Sequence, residues 1–160
     1  GVRSSHSLPR ERMQTEAGTA FYDVCYHGDL ERIAKAIAAG QDVNAHCPKW
    51  KSMYQPTALA YAVWGQQVEA VRLLLESGAN PDLPDGDSNY YPLHWASYKS
   101  DNGESAACAQ LLVDAGADVN VMTARGFTPL DLARGLNDLV SSKPGVVRMP
   151  APRGRLTLSQ

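Results

Sequence analysis

The stretch LVDAGADVNV at residues 112–121 has two close counterparts earlier in the chain. They are AIAAGQDVNA at residues 36–45 and LLESGANPDL at residues 74–83. Each joins an apolar segment to a small residue, a glycine and a polar turn, as expected where a helix ends in a glycine with left-handed backbone geometry. Self-similarity of this kind is typical of repeat proteins, so these three endings decide the fold.

The segments that precede these endings recur as well. Four of them begin at Thr19, Thr57, Tyr91 and Thr128, which are 38, 34 and 37 residues apart. The first three lead to one of the glycine endings, while the fourth, TPLDLARG, has no second half of the same kind. The chain therefore contains three full repeating units and part of a fourth.

Each unit is predicted to form two short helices. In the second unit Val68, Val71, Leu74 and Leu75 share one face of the second helix, and the first helix mixes small and apolar residues. Neither helix of a pair can bury its apolar face alone, but stacked units bury a continuous core. The repetition thus predicts an all-α solenoid, and 160 residues suit one domain of ordinary size.

These motifs resemble those of the ankyrin repeat family, whose signature has Thr-Pro-Leu-His near the start and Gly-Ala-Asp-Val-Asn near the end. The nearest matches are PLHWA at residues 92–96, TPLDLA at 128–133 and GADVN at 116–120. GDLERI and GQDVNA in the first unit and LLLESGANPD in the second agree with the same signature. The resemblance covers about residues 18–136 and implies an ankyrin repeat solenoid with three full repeats and a partial capping repeat.

The chain departs from the family pattern in places. The first two units have TAFY and TALA instead of Thr-Pro-Leu-His, and the third unit begins with Tyr91. The connectors between units are long, and so is YKSDNGES at residues 98–105, which we expect to be the loop between the helices of the third unit. We therefore expect a stack of the family's kind with irregular connections.

Charge divides the chain into a body and a tail. Residues 19–140 carry a net charge of −7, from 15 acids and 8 Lys or Arg residues, whereas residues 141–160 carry four basic residues and no acid. We expect residues 1–17 to be an N-terminal extension or cap, residues 18–140 to be the repeat domain, and the rest to be a basic tail rich in Pro and Gly. The tail is either an idle arm or a strap that occupies the acidic stack and inhibits it.

The resemblance implies that a partner docks on the concave face formed by the first helices and on the connectors, which project as fingers. Tyr26, Trp64 and Tyr98 occupy the same position in three successive units, so we expect their rings to stack as a ladder on that face. Neighbouring exposed aromatic rings are the usual anchors of a binding surface. The alternative is that these rings pack against the fingers or the tail, as aromatic residues also do in cores.

The connectors supply further candidates. HCPKWKSMYQP at residues 46–56 is a basic finger and NPDLPDGDSNYYP at residues 80–92 is an acidic one, so they either attract each other or offer a mixed surface to a partner. We predict a non-catalytic module, an adaptor, inhibitor or scaffold, that binds another protein. Besides the ladder, the predicted partner-contacting residues are His27, Lys49, Trp50, Lys51, Tyr54, Tyr90 and Lys99.

Catalytic and metal-binding chemistry is disfavoured. His46 and Cys47 are adjacent, but no second pair follows at zinc-ligand spacing, and His46 is badly placed to act as a base for its own neighbour. The Asp-rich finger lacks the spacing and the closing Glu of a calcium loop. The family resemblance implies that His94 is a hydrogen-bonded structural residue. We predict no enzymatic activity, no cofactor and no metal.

Composition also bears on partners and compartment. The acidic body disfavours nucleic acid as a partner. Three widely spaced cysteines predict an intracellular, reducing compartment, the cytoplasm with the nucleus as the alternative. With no apolar run of about 20 residues, no membrane span is predicted. We expect the chain to be a monomer. Leu112 and residues 118–120 resemble the pattern at which ankyrin repeats are hydroxylated, with Asn120 as the target. The alternative is that Asn120 is a structural turn residue.

Overall fold

The computed structural model of the 160-residue chain describes residues 20–48, 52, 54–86, 88–98 and 103–134. The predictions for residues 1–17 and 141–160 lie outside the described residues. The helices of the described residues, in chain order, are α1 over residues 20–27, α2 (Leu30–Ala38), α3 (Ala58–Trp64), α4 (Val68–Glu76), α5 (Pro92–Tyr98), α6 (Gly103–Asp114) and α7 (Pro129–Ala133).

The helices stack in two layers. In the first layer α3 packs against α5, and α5 packs against α7. In the second layer α4 packs against both α2 and α6, while α3 with α4 and α5 with α6 form the antiparallel pairs of single repeats. This arrangement confirms the predicted all-α ankyrin solenoid, with α7 as the first helix of the partial fourth repeat.

Each second helix is followed, two residues after its last residue, by a glycine, as the sequence predicts. Gly40, Gly78 and Gly116 have φ angles of 91°, 91° and 92°, which a residue with a Cβ adopts only at a cost. In the first repeat the N–H of Gln41 donates to the carbonyl of Ala36 at 3.0 Å, the 6→1 bond of a Schellman motif. These caps satisfy the last carbonyls of each helix and turn the chain into the next connector.

The first helices begin in three different ways. The Thr57 hydroxyl accepts from a backbone N–H in the first turn of α3 at 3.2 Å, and Thr128 forms a capping box with Asp131 at the start of α7. At the start of α5 no Thr is present, and His94 Nδ1 instead accepts from the N–H of Tyr91 at 3.1 Å. The departure of the third unit from the Thr-Pro-Leu-His signature is thus compensated by its histidine.

The core runs through the stack between the two layers. Its largest fully buried apolar side chains include Ile33, Leu59, Leu74 and Leu112, one or more from each complete repeat. The first two repeats approach so closely beside this core that a Cβ at Gly65 would lie 2.0 Å from the carbonyl oxygen of Tyr26. Glycine is therefore required at this point of contact.

The third repeat corrects one expectation. The sequence predicts a long loop over residues 98–105, but Tyr98 is the last residue of α5 and Gly103 is the first residue of α6. The four inserted residues therefore contribute partly to a longer second helix, which has 12 residues where α2 and α4 have 9. Added helix turns keep their backbone groups hydrogen-bonded, which an equally long loop does not.

Candidate functional site

The connectors form three fingers that lie side by side: finger 1 (residues 39–57), finger 2 (77–91) and finger 3 (115–128). His46 and Thr57 pair as an antiparallel bridge within finger 1. Finger 1 contacts finger 2 through the bond from the N–H of Gly86 to the carbonyl of Tyr54, at 3.0 Å, and through His46 Nε2, 2.8 Å from the carbonyl oxygen of Pro84. His46 therefore holds two fingers together and does not face Cys47.

One acidic side chain of finger 2, that of Asp85, points inward. Asp85 is only 3% exposed, and its Oδ1 accepts from the N–H groups of Ser88 and Tyr90 at 3.0 and 3.1 Å. Asp85 thus shapes the turn and does not contribute to an acidic surface, contrary to the sequence-based expectation for this finger. The N–H of Ala124 donates to the carbonyl of Ser88 at 3.0 Å, which places the tip of finger 3 against finger 2.

Four aromatic side chains make a continuous cluster on the first helices and finger 2. The ring centroids are 5.4 Å apart for Tyr26 and Trp64, 5.5 Å for Trp64 and Trp95, and 5.3 Å for Trp95 and Tyr90. These tilted and edge-to-face geometries are the favourable ones for aromatic pairs. We call these four residues the ring cluster. It spans three repeats, and its central member, Trp64, is 36% exposed.

Two of the three residues of the predicted ladder belong to the ring cluster. Tyr26 and Trp64 are in contact as expected, but the next ring in contact with Trp64 is Trp95, which sequence comparison did not single out. Trp95 lies one helical turn before Tyr98 in α5 and corresponds to Tyr61 in the second repeat. The signal that a sequence search could have used is this pair of aromatic residues at equivalent positions.

A rim of hydrogen-bond donors lies near Tyr90, the member of the ring cluster that finger 2 supplies. It consists of Tyr54, Tyr98 and Arg125, of which Tyr54 is 49% exposed. All three act electrostatically on the hydroxyl of Tyr90, whose pKa is raised chiefly by burial. Arg125 opposes that rise, whereas Asp85, Tyr98 and Tyr54 add to it. Tyr90 consequently stays protonated and is a donor at neutral pH.

Of the remaining predicted site residues, one lies at the edge of the ring cluster and the others belong to segments that the structure does not describe. His27 is exposed, and its ring lies 5.2 Å from that of Tyr26, at the edge of the ring cluster. Lys49, Trp50, Lys51 and Lys99 lie outside the described residues. The structure thus brings together six of the ten predicted residues, Tyr26, His27, Tyr54, Trp64, Tyr90 and Tyr98, and adds Trp95 and Arg125.

Trp95 carries an unusual polar group. Its Nε1 is buried and donates to no acceptor among the described residues. A buried donor without a partner costs about 1–3 kcal/mol of stability, and such groups are rare in folded proteins. This donor lies beside the partly exposed ring of Trp64 rather than in the deep core.

The three cysteines are packed in the hydrophobic core. Burial raises the pKa of Cys25 to about 12, and burial with the nearby Glu104 carboxylate raises that of Cys108 to about 11, so neither is a thiolate nucleophile at neutral pH. Cys47 is fully buried, with its Sγ 3.7 Å from the hydroxyl of Tyr61. The described part of the chain contains no group of three His, Cys, Asp or Glu side chains placed to hold a metal ion.

His94 is the structural histidine that the family resemblance implies. It is fully buried, its Nδ1 accepts from Tyr91, and its Nε2 lies 2.9 Å from the carbonyl oxygen of Phe127 in finger 3. Burial lowers its pKa, while the bond to Phe127 acts in the opposite direction. The neutral ring that results links the third repeat to the fourth.

A second inter-repeat network follows the polar turns at the ends of the second helices. Asn44 Oδ1 accepts from the N–H of Asn80 at 2.8 Å, and its Nδ2 donates to the carbonyl of Gly78 at 3.1 Å. One repeat further on, Asp82 Oδ1 accepts from the N–H of Asp118 at 2.9 Å. We call this network the turn ladder. The next position of the turn ladder is Asn120, which is exposed. Its hydroxylation remains a prediction.

Comparison with known proteins agrees with this architecture. A family model described as ankyrin repeats (many copies) matches residues 57–109, from the N-cap of α3 into α6. Together with the helix pairs, glycine caps and stacked fingers, this match shows that the chain belongs to the ankyrin repeat family. Ankyrin repeats are protein–protein interaction modules, and the family is generally non-catalytic.

Curated relatives cover most of this chain. It is 37% identical over 134 residues to the BTB/POZ domain and ankyrin repeat-containing protein NBCL of Lotus japonicus, which covers 81% of this chain and 25% of that protein. It is 32% identical over 100 residues to the palmitoyltransferase Hip14 of Drosophila melanogaster, covering 62% of this chain and 14% of the enzyme.

A third relative is the ankyrin repeat, SAM and basic leucine zipper domain-containing protein 1 of Neofelis nebulosa, 28% identical over 128 residues, which are 80% of this chain and 26% of that protein. The chain thus spans a quarter or less of the length of the first two relatives and about a quarter of the third. Within the ranges that the structure describes, no helix combines the length and apolar character needed to cross a membrane.

Proposed function

We propose that this chain is a non-catalytic recognition module that binds a partner protein through the ring cluster and the adjoining fingers. The observation that carries the proposal is the ring cluster itself. Its four aromatic side chains from three repeats are in continuous contact, with Trp64 partly open to solvent at the centre. Aromatic anchors of this kind supply most of the binding free energy in many protein interfaces.

The framework beneath the rings supports this function. Tyr26 and Trp64 lie at the ends of first helices whose separation is fixed by the close approach at Gly65, and Tyr90 follows a turn that is tied down by Asp85. Rings held in this way lose little side-chain freedom when a partner binds, so more of the contact energy appears as affinity. The alternative, that the rings pack against the fingers or the tail, is met by the contact of Trp95 with Tyr90 of finger 2, but finger 2 leaves Trp64 partly exposed.

Substitution of Trp64 tests the proposal. Proteins that bind the immobilised wild-type chain are identified by mass spectrometry, and the affinity of the main partner is then measured for Trp64→Ala. We expect affinity to fall by about 2 kcal/mol or more, because a central aromatic anchor is lost. The matched control is Val113→Ala, which truncates a side chain of α6 that is 41% exposed and outside the cluster.

Thermal unfolding of both variants separates a binding defect from a folding defect. The proposal predicts that Trp64→Ala stays folded at the assay temperature and that Val113→Ala binds like the wild type. A partner whose affinity is the same for the wild type and a folded Trp64→Ala variant contradicts the surface assignment.

A further inference from the structure

The end of the stack beyond the third repeat exposes apolar side chains whose counterparts in earlier repeats are buried. Leu130, the second residue of α7, is 54% exposed. Phe21, Leu59 and Leu93 occupy the equivalent position in the first three repeats, and each of them is at most 5% exposed. The helices of Leu59 and Leu93 pack against the next first helix, whereas no first helix follows α7 among the described residues.

The polar turn of the third repeat shows the same difference. Val43 and Val119 are the central residues of two identical DVN motifs, in the first and third repeats. Val43 is 8% exposed and Val119 is 50% exposed. Asn44, the neighbour of Val43, bonds to the turn of the second repeat, whereas the described residues contain no turn beyond that of Asn120. The same motif is thus buried where another repeat stacks on it and exposed at the end of the stack.

The second helix and the finger of the third repeat extend this surface. Val113 is exposed on α6, whereas Ile37 and Leu75 occupy the equivalent position of α2 and α4 and pack against the hydrophobic core. Met122 of finger 3 is exposed and occupies the position of His46, which contacts the following finger. We define the end face as Val113, Val119, Met122 and Leu130. The end face is therefore the interface between successive repeats, continued by one step.

The chain itself continues beside the end face. α7 ends at Ala133, its C-cap is Arg134, and residues 135–160 follow in the sequence. In the second repeat only residues 65–67 separate α3 from α4, which packs back against α3 and also contacts α6. A connection of similar length after α7 brings the next part of the chain alongside α6 and onto the end face.

The sequence after α7 has the apolar residues that this position requires. It reads GLNDLVSSK at residues 135–143, which we call the C-terminal segment, and Pro144 follows. Leu136, Leu139 and Val140 have the i, i+3, i+4 spacing that places apolar side chains on one face of a helix. The proline limits such a helix to the residues before it. The C-terminal segment can therefore present one short apolar face.

We propose that the C-terminal segment packs its apolar side chains on the end face and so closes the stack. Burial of the apolar surface of both partners favours the contact. Because the segment is tethered to α7, its effective concentration at the end face exceeds that of a second copy of the chain in dilute solution. The inference concerns a different surface from the ring cluster and does not depend on the proposed function.

Site-specific photo-crosslinking identifies what covers the end face. The substitution Val119→benzoylphenylalanine is made in the full chain, the purified protein is irradiated, and mass spectrometry locates the crosslinked residues. The proposal predicts a crosslink within one chain to residues 135–143. The matched control is Arg72→benzoylphenylalanine, at an exposed residue of α4 in the second repeat, which should give no crosslink to the C-terminal segment.

The other products overturn the proposal, and each assigns the end face differently. A dimer-sized product whose yield rises with protein concentration means that a second copy covers it. A crosslink to residues 144–160 or 1–19 means that another part of the chain does. Crosslinks confined to the neighbouring residues of the third repeat mean that the end face is open to solvent.

Substitution within the C-terminal segment tests the apolar contact without changing the end face. Leu139→Asp places a charge where the proposal has an apolar contact, and Leu156→Asp makes the same change beyond Pro144 as the matched control. In chains with the crosslinker at residue 119, Leu139→Asp should lose the crosslink and unfold at a lower urea concentration, whereas Leu156→Asp should change neither. Equal results for the two variants contradict the proposal. If Leu139→Asp does not fold, the crosslinks of the chain without it still decide between the occupants.

Discussion

The turn ladder and the ring cluster are both built by stacking three repeats. The turn ladder repeats one type of contact from each repeat to the next, whereas the ring cluster does not. In the turn ladder the N–H groups of Asn80 and Asp118, which occupy equivalent positions 38 residues apart, each donate to a side-chain oxygen of the preceding repeat. In the ring cluster Trp64 contacts the equivalent Tyr26 on one side but the non-equivalent Trp95 on the other.

The difference distinguishes contacts that stabilise the stack from those of the proposed recognition surface. Contacts that recur in register couple each repeat to the next, and the stability of a solenoid is close to the sum of such terms. Contacts that break the register involve an irregular connector or residue, here finger 2 and Trp95, and the Trp95 Nε1 has no acceptor among the described residues. Local departures from the regular pattern are expected at functional surfaces.

The largest effect is expected at Gly65, because the first two repeats touch there and both regions depend on their separation. Gly65→Ala places a Cβ against the carbonyl oxygen of Tyr26, where the distance would be 2.0 Å. We expect the free energy of unfolding in urea to fall by about 3 kcal/mol, since the backbone of one repeat must move. The Tyr26–Trp64 contact and partner affinity are lost with it.

Gly103→Ala is the matched control for that substitution. Gly103 is the first residue of α6, and a Cβ there meets no atom within 4 Å. We expect its free energy of unfolding to stay within about 0.5 kcal/mol of the wild type. Equal losses for the two alanine variants would show that the close approach at Gly65 does not limit the stack.

The pH dependence of stability probes the link between the third and fourth repeats. Because burial holds the pKa of His94 below its usual 6.5, the unfolded chain binds more protons than the folded chain as the pH falls below about 6.5. The contribution of His94 is therefore present above that pH and is lost as the pH falls through the lower folded pKa. Urea unfolding at several pH values should show this decline.

His94→Gln should remove that part of the pH dependence. It should also lower the free energy of unfolding at neutral pH by about 1–3 kcal/mol, because the bonds to Tyr91 and Phe127 are lost. His27→Gln changes an exposed histidine and should keep the wild-type slope. A slope that survives in His94→Gln and disappears in His27→Gln would contradict the assignment.

The smallest effect on the free energy of unfolding is expected in the turn ladder. It tests whether the contacts that recur between repeats stabilise the stack. Asn44→Ala removes the acceptor for the N–H of Asn80 and the donor to Gly78, so we expect a loss of about 1 kcal/mol in urea unfolding. Asn120→Ala changes the equivalent residue of the third repeat, which is exposed, and should cost less than about 0.5 kcal/mol. If both cost the same, the inter-repeat bonds of Asn44 contribute nothing measurable.

Most of the fold was predictable from the sequence because its physical causes are local. A glycine after an apolar helix predicts a left-handed cap, and Gly40, Gly78 and Gly116 all adopt one. The loop expected over residues 98–105 was partly wrong, since the choice between a longer helix and a longer loop depends on how α6 packs against α4. Periodicity within one segment does not contain that information.

The candidate site was predictable only where it follows the repeat. Tyr26 and Trp64 share a position, so their contact could be predicted, whereas the contact between Trp95 and Tyr90 depends on the path of finger 2. The inward turn of Asp85 was missed for the same reason, because the sequence shows a carboxylate but not the two N–H groups from which it accepts. Irregular connectors are defined by tertiary contacts, which no repeat pattern encodes.

The three buried cysteines make the chain its own reporter of local opening. Cys25 lies in α1, Cys47 in finger 1 and Cys108 in α6, and all three are fully buried. A thiol reagent reaches each of them only when the surrounding repeat opens, so the labelling rate measures the free energy of that opening. Mass spectrometry of the labelled peptides would therefore show, in the native sequence and without any added probe, which end of the stack unfolds first.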